Sequence, residues 1–550
     1  MELEKLANLI LPNVKKDISY YENLYPKRNI SKDAIVTRFA PSPTGFVHIG
    51  GLLASFVETK IAKQTNGVCF LRIEDTDQKR EILNGVQGII DDMNKSNIFF
   101  DEGPISESEE KGNYGPYVQS KRKEIYQTFA HHLLKNDKAY ACFCTESELD
   151  NIRIAQEQNK ARIGYYGSWA RDRYLTSEEV EAKIKSGEEF IVRLKSNGNF
   201  NNKKTFSDLI KGDLVMPEND QDIVIIKSDG LPTYHFAHLV DDHLMRTTHI
   251  IRADEWLSSL PIHVQLFEMF GFVPLKYAHI SPLTKSDNGG IRKISKRKDP
   301  EAAVSYYHQK GIPNEAITIY LATIANSDFE AWYDENPNKN ISEFELKFSK
   351  ISSSGSMFDI DKLLNISKNY ISRLTSYEVY EKVYAWALEY DDKLRSLLEK
   401  HKDFSINIFN VERGGEKPRK DYTSYSDIIN HIWYMYDELF IDVTYDLQKI
   451  NEKPEIEFLL KKYMSDFYDK NDSKEEWFNK IKELCKASGY AHDMKEYKAN
   501  PEKFKGNVAD ISMMIRVILT SKTMTPDLYE IMNILGSEKI KSRIEMYLKS

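Results

Sequence analysis

The sequence predicts an α/β protein: a parallel-sheet domain, split by a smaller α/β insertion and followed by a long helical region. Three observations predict it. Residues 34–39 (AIVTRF) are an apolar strand-like run, 40–45 (APSPTG) a turn, the next stretch to about Thr65 a helix, and 69–73 (CFLRI) a second strand. That order opens a βαβ unit, which implies parallel pairing and a right-handed crossover. Strand-like runs return at 222–227 and 249–251. From Glu301 onward the chain is Lys-, Glu- and Tyr-rich, and Pro418, Pro454, Pro501 and Pro526 cut it into helix-length pieces.

Taken in order, residues 1–33 read as a polar, partly helical extension ending in a loop at 25–29. Residues 34–129 form the first half of the parallel-sheet domain. Its helix carries apolar positions Leu52, Leu53, Phe56, Val57 and Ile61, with Gly67 as the C-cap. Residues 130–221 mix short strands and helices and form the insertion. Residues 222–300 return to α/β character and end on the basic loop 293–298 (KISKRK), preceded by Asn288, Gly289 and Gly290. Segments 301–375 and 376–550 are predicted helical. A chain of 550 residues exceeds the roughly 250–300 residues at which single cores stop growing, so three to five domains are expected.

Bulk properties exclude several classes. No apolar run approaches the roughly 18 residues of a membrane span. Glu2, Glu4 and Lys5 flank a short apolar patch too brief for an export signal. Four cysteines make no disulfide framework, so a reduced, cytoplasmic protein is expected. The net charge of −8 opposes a broad nucleic-acid surface, so any such surface must be local.

Two segments carry chemistry. In 38–51 (RFAPSPTGFVHIGG) a strand delivers the chain through a Pro/Gly turn onto a helix N-terminus, whose unpaired N–H groups and positive dipole end suit phosphate. His48 could donate to a phosphoryl oxygen there as negative charge builds. In 293–298, lysines can close over a polyphosphate as point charges. Taken alone, each has a plainer reading: a structural histidine in a turn, and a solvated surface loop.

Together they resemble the HIGH and KMSKS signatures of class I aminoacyl-tRNA synthetases. Residues 38–45, 71–77 (LRIEDTD) and 232–243 (PTYHFAHLVDDH) resemble the glutamyl/glutaminyl subfamily; 251–256 (IRADEW) and KISKR match its glutamyl branch. Residues 311–317 resemble the family's segment after the basic loop, and 358–363 the start of the stem-contact region's last helices. Residues 516–519, 526–529 and 535–536 look like the bacterial type's helical anticodon-binding domain. The resemblance spans 34–548, dense to 300 and thin from 375 to 500.

The resemblance implies a Rossmann-like catalytic domain in two halves (34–129 and 222–300), an acceptor-binding connective insertion (130–221), a stem-contact domain (301–375) and an all-α anticodon-binding domain (376–550). It implies a glutamate–tRNA ligase that uses ATP with Mg²⁺ to make glutamyl-adenylate, then esterifies the 3′-terminal adenosine of tRNA(Glu); charging of tRNA(Gln) stays open. A monomer with no membrane partner is expected. Arg38 with Tyr234 would take the glutamate side chain, Ser42 and Glu74 the amino group, and Arg252 the carboxylate region, with Ala40 and His238 completing the pocket. His238 stands where the glutamyl pattern often has asparagine. His48 and the backbone at Gly45, Gly50 and Gly51 would hold the ATP phosphates, with Lys293, Ser295 and Lys296 from the basic loop. Glu255 would lie near the ribose or adenine. His48, Lys293 and Lys296 are the expected catalytic residues; no covalent nucleophile is needed, because the substrate carboxylate attacks.

Some bacterial members hold zinc in the insertion through C-x-C and Tyr-x₃-Cys. Here Cys142 and Cys144 supply the pair, but Ala170 follows Tyr166 where the last cysteine would stand. Structural zinc wants four ligands, so no zinc is expected. His235, His238, His243 and His249 beside Asp241 and Asp242 also look metal-like, as do Glu74, Asp75 and Asp77; the resemblance assigns them to framework and pocket instead, and no metal is expected. Rival readings are a glutaminyl-tRNA synthetase, whose anticodon region should be β-barrel, a truncated paralogue that glutamylates a tRNA base, and a catalytically inactive tRNA-binding paralogue.

Overall fold

The computed structural model describes residues 2–549 apart from Gln78, Arg80, Glu81, Asn288, Asn338, Gln448 and Asn451; Asn288, noted ahead of the basic loop, therefore lies outside the described residues. The chain forms two compact units, 1–307 with 317–359, and 308–316 with 360–550.

The first unit opens with helices α1 (Glu2–Ile10) and α2 (Ile18–Leu24). Asp17 caps α2 by accepting the Tyr20 N–H. These helices are part of the core: Ala7, Ile10, Leu11, Tyr21 and Tyr25 pack in one cluster with Tyr126, Phe129 and Leu133. The predicted βαβ start follows as β1 (Val36–Phe39), α3 (Ile49–Gln64) and β2 (Val68–Leu71). β1 and β2 pair in parallel, Val36 opposite Val68 and Phe39 opposite Leu71. All five apolar positions expected on α3 are buried. The close of α3 differs from expectation. The left-handed residue is Asn66 (φ 53°), not Gly67. Gly67 is required for another reason: a Cβ there would sit 1.9 Å from the Ile35 carbonyl oxygen, where the backbone folds back into β2.

Next come α4 (Gly85–Lys95), the short antiparallel pair β3 (Gly103–Pro104) and β4 (Glu110–Lys111), and α5 (Lys123–Lys135). The inserted region contributes β5 (Ala139–Cys142), α6 (Glu146–Gln158), α7 (Ser177–Lys185), β6 (Ile191–Leu194), β7 (Lys203–Asp208) and β8 (Gly212–Pro217). Thr145 and Thr176 start α6 and α7 with capping boxes. β9 (Val224–Ile226) joins β5 and β6 in an antiparallel sheet, so that sheet straddles the 221/222 boundary set from the sequence.

The parallel sheet resumes after α8 (Tyr234–Leu244) with β10 (His249–Ala253), α9 (Leu260–Phe270) and β11 (Lys276–Ile280). β10 and β11 pair in parallel, and the β7–β8 hairpin extends that sheet through the Tyr277–Asp208 pair. β10 lies beside β1, where the Thr248 N–H donates to the Val36 carbonyl. A hairpin of β12 (Leu283–Asp287) and β13 (Gly290–Lys293) then carries the basic loop.

The second unit is built of helices, among them Ser376–Tyr390, Lys474–Ser488, Val508–Thr520 and Leu528–Lys549. Val383, Leu398, Ile428, Leu459, Ile481, Ile515 and Ile531 share its core. Pro454 and Pro501 sit in first turns, where a missing N–H costs nothing. Among the described residues no strand element follows Met357, which is the helical character expected there. No helix of the described residues is long and apolar enough to cross a membrane.

Candidate active site

The carboxyl ends of β1 and β10, the start of α3, the start of α8 and the basic loop converge on one cavity of about 530 Å³. Ligands of open α/β sheets bind at this edge. Arg38, Ala40, Ser42, Glu74, Tyr234, Arg252, His48, Gly50, Gly51, Glu255, Lys293 and Lys296 all line it. Residues far apart in the chain thus meet in one place.

At one end sit the arginines. Arg38, buried on β1, donates from Nε to Asp242 Oδ1 (3.2 Å) and from Nη1 to the Ile251 carbonyl (3.2 Å). Asp242 is fully buried and also takes Arg72 Nη1 at 2.9 Å. Burial opposes its charge, but Arg72 and Arg38 hold its carboxyl well below the usual range. Arg72 donates to Glu74 Oε1 at 3.0 Å, and the Glu74 N–H donates to the Pro41 carbonyl. Burial pushes the Glu74 carboxyl up against the pull of Arg72 and Arg38. Tyr234 packs on Trp256, ring centroids 4.2 Å apart.

At the other end sits the helix N-terminus. His48 is the N-cap of α3, its Nδ1 accepting the Gly50 N–H at 3.0 Å. That bond fixes the neutral tautomer with hydrogen on Nε2, leaving Nε2 as a donor. Burial, then Lys296 and Lys293, lowers its pKa and keeps it neutral. Gly50 and Gly51 leave the first turn bare; a Cβ at Gly50 would lie 3.2 Å from His48 Nδ1. Lys296 Nζ donates to the Phe46 carbonyl (3.0 Å), 3.7 Å from where a Cβ at Gly45 would stand. Lys293 pairs with Glu255. Arg292 Nη1 and Nη2 grip Asp299, which accepts the Ser295 N–H and so braces the loop.

Some expected residues stand apart. His238 is fully buried one layer behind Tyr234; its Nδ1 lies 2.8 Å from Asp242 Oδ2 and its Nε2 3.3 Å from the Tyr277 hydroxyl. It does not line the cavity. Ser295 and Gly45 do not line it either; the Ser295 N–H is spent on Asp299. The sequence reading missed Glu58, a buried carboxylate on α3 that lines the cavity, 3.8 Å from Arg38. The signal was present: one acid amid the apolar stripe of Leu52, Phe56 and Ile61. Trp256 and Ile294, from the IRADEW and KISKR segments, line the cavity as well.

In the insertion, Cys142 and Cys144 pack with Ala170, and the carboxylate beside them is Asp172; the ligand atoms of the two cysteines and Asp172 lie within 4.8 Å of one another. Both Asp172 oxygens already accept bonds, from the Phe143 N–H (2.7 Å) and Arg171 Nε (3.2 Å). The Tyr165 hydroxyl lies 3.1 Å from Cys144 Sγ. These groups satisfy one another as they stand.

A parallel sheet holding a His-capped helix start, two buried arginines and a lysine loop is the architecture of an enzyme that joins a carboxylate to a nucleotide. Residues 34–364 match the family of class I tRNA synthetases (E and Q), catalytic domain, and residues 417–548 match an anticodon-binding domain. The chain belongs to this E/Q family of class I tRNA synthetases. It is 47% identical over 549 residues to the glutamate–tRNA ligase of Acetivibrio thermocellus and 46% identical over 551 residues to that of Clostridium beijerinckii, covering 100% of each chain in both cases. A solved glutamate tRNA ligase from Elizabethkingia meningosepticum, in complex with its amino acid, is 26% identical with a TM-score of 0.75, covering 94% of this chain and 99% of that one.

Proposed function

We infer that the protein is a glutamate–tRNA ligase, which activates L-glutamate with ATP and transfers it to the terminal adenosine of tRNA(Glu). The observation that supports this best is one cavity with arginines at one end and His48 with two lysines at the other. Glutamate fits the first and a triphosphate the second. In this reading Arg38, Tyr234 and Arg252 bind the substrate carboxylates, Ser42 and Glu74 the ammonium group, and Ala40 shapes the floor. His238 acts indirectly, by backing Tyr234. Gly45, Gly50 and Gly51 let the phosphates approach the backbone, while Glu255 meets the ribose or adenine once Lys293 swings onto phosphate.

The glutamate α-carboxylate attacks the α-phosphorus and pyrophosphate leaves. Negative charge grows on the phosphoryl oxygens, where His48 Nε2–H, Lys293 and Lys296 would meet it. Mg²⁺ bound to the ATP phosphates would supply further charge screening, beside Lys293 and Lys296, as pyrophosphate leaves. A terminal hydroxyl of tRNA then attacks the adenylate carbonyl, and AMP departs.

The domain roles follow the same reading: residues 130–221 for the acceptor end, 301–375 for the stem and 376–550 for the anticodon. We propose a cytoplasmic monomer without zinc; metal analysis of the purified protein showing stoichiometric zinc would refute the last point. ATP–pyrophosphate exchange with glutamate and tRNA tests the function, and its absence sinks the reading. Charging assays on purified tRNA(Glu) and tRNA(Gln) define the acceptor.

A further inference from the structure

Arg252 differs from the other buried arginines around the cavity. Arg38 and Arg72 are ion-paired with Asp242, and Arg122 with Asp241. Arg252 is only 6% exposed, yet no described carboxylate pairs with it directly. Its acceptors are uncharged. Nε donates to His279 Nε2 (3.0 Å), Nη1 to His263 Nδ1 (3.0 Å) and the Tyr234 hydroxyl (3.5 Å), and Nη2 to the Trp256 carbonyl (3.3 Å). A buried cation without a counter-charge is costly, so its partner must come from elsewhere.

The histidines are held in the form that can accept. Asp208 Oδ2 lies 2.6 Å from His279 Nδ1, so Nδ1 carries the hydrogen and Nε2 presents its lone pair to Arg252. His263 Nδ1 must also be bare to accept, so its hydrogen sits on Nε2, 3.0 Å from His235 Nδ1. The series Asp208–His279–Arg252–His263–His235 is consistent in one direction only. Burial supports it: His263 is pushed well below the ordinary histidine range and His235 to about 4.

We propose that His263 and His279 are positioning residues that hold Arg252 through uncharged acceptors, so that its undiminished charge anchors a carboxylate of the substrate. A carboxylate in either place would orient Arg252 equally well, but would neutralise it. Asp208 is kept one imidazole away, behind His279. The proposal deepens the ligase reading and rests on it.

The test is a series at each histidine in tRNA-supported ATP–pyrophosphate exchange. His263→Asn keeps an uncharged acceptor at the Nδ1 position, His263→Asp makes it an anion, and His263→Leu removes it. His263→Asn is expected to keep KM for glutamate within about threefold of wild type, while the Asp and Leu variants raise it about tenfold or more. KM for ATP should stay within about twofold in all three. Equal glutamate KM for Asp and Asn, or an Asn variant as poor as Leu, overturns the proposal. Where the His263 variants do not fold, His279→Gln against His279→Leu reads the same distinction, and equal glutamate KM there overturns it too. Wild-type protein without glutamate-dependent exchange fails the ligase reading itself, before any variant is made.

Discussion

Lys296 reaches across the loop to the Phe46 carbonyl and lies over the Phe46 ring, 4.7 Å from its centroid. Burial lowers its pKa, yet its place beside the bare start of α3 suits a charge for leaving phosphate. Lys296→Ala should slow glutamate-dependent exchange by roughly 10²–10³-fold, with tRNA affinity in a gel-shift titration unchanged. Equal loss of both would contradict the role proposed for it at the phosphates. At this scale much was legible. Arg38, Ser42, Glu74, Tyr234 and Arg252 were picked out by motif, and all line one cavity. What the motifs could not give was each charge's partner: Asp242 serves Arg38, whereas Arg252 is left to histidines. Those partners come from other elements, beyond any local period.

At the scale of elements, two glycines make opposite predictions. A Cβ at Gly67 would strike the Ile35 carbonyl, so Gly67→Ala should lower stability by about 1–3 kcal/mol through overpacking. Gly88 is an exposed position inside α4 with nothing within 4 Å of an added Cβ. Gly88→Ala should raise stability by about 0.5–1 kcal/mol, through lost chain entropy in the unfolded state. Denaturant melts of both variants check the pair; a neutral Gly67→Ala would mean the turn into β2 relaxes freely. The existence of α3 followed from its apolar spacing. Its closing residue did not, because Asn66 and Gly67 are both good turn formers and only the approach of residue 35 separates their roles.

For the whole molecule, buried histidines set a pH dependence. His235 and His249 are lowered to about 4 and His238 to about 3, chiefly by burial, from an ordinary value of 6.5. Between these values the unfolded chain binds protons that the folded chain refuses, so stability falls as pH drops from about 6.5 toward 4. Glu58 and Glu74, whose carboxyls burial pushes up, run the other way; the more numerous histidines should prevail. The urea midpoint should therefore be lower at pH 5 than at pH 7.5, and an unchanged or higher midpoint would refute this. The N-terminal helices also matter at this scale. Because Ala7, Ile10, Tyr21 and Tyr25 lie in the first unit's core, removing residues 1–33 should lower its melting temperature by more than about 5 °C, where a dispensable extension would leave it unmoved.

By itself the sequence determined the class of fold, the family and the order of its motifs, because a βαβ start, a His-Ile-Gly-Gly helix entry and a KISKR loop are each set by neighbours in the chain. The tertiary structure alone decided that Ala7, Ile10, Leu11, Tyr21 and Tyr25 of the N-terminal segment join the core, that the inserted strands divide between two sheets, and that no described carboxylate pairs with Arg252. The last of these depends on Asp208, Arg252 and His279 meeting across strands β7, β10 and β11. Hydrogen-bond partners chosen by strand pairing leave no periodic trace in the sequence.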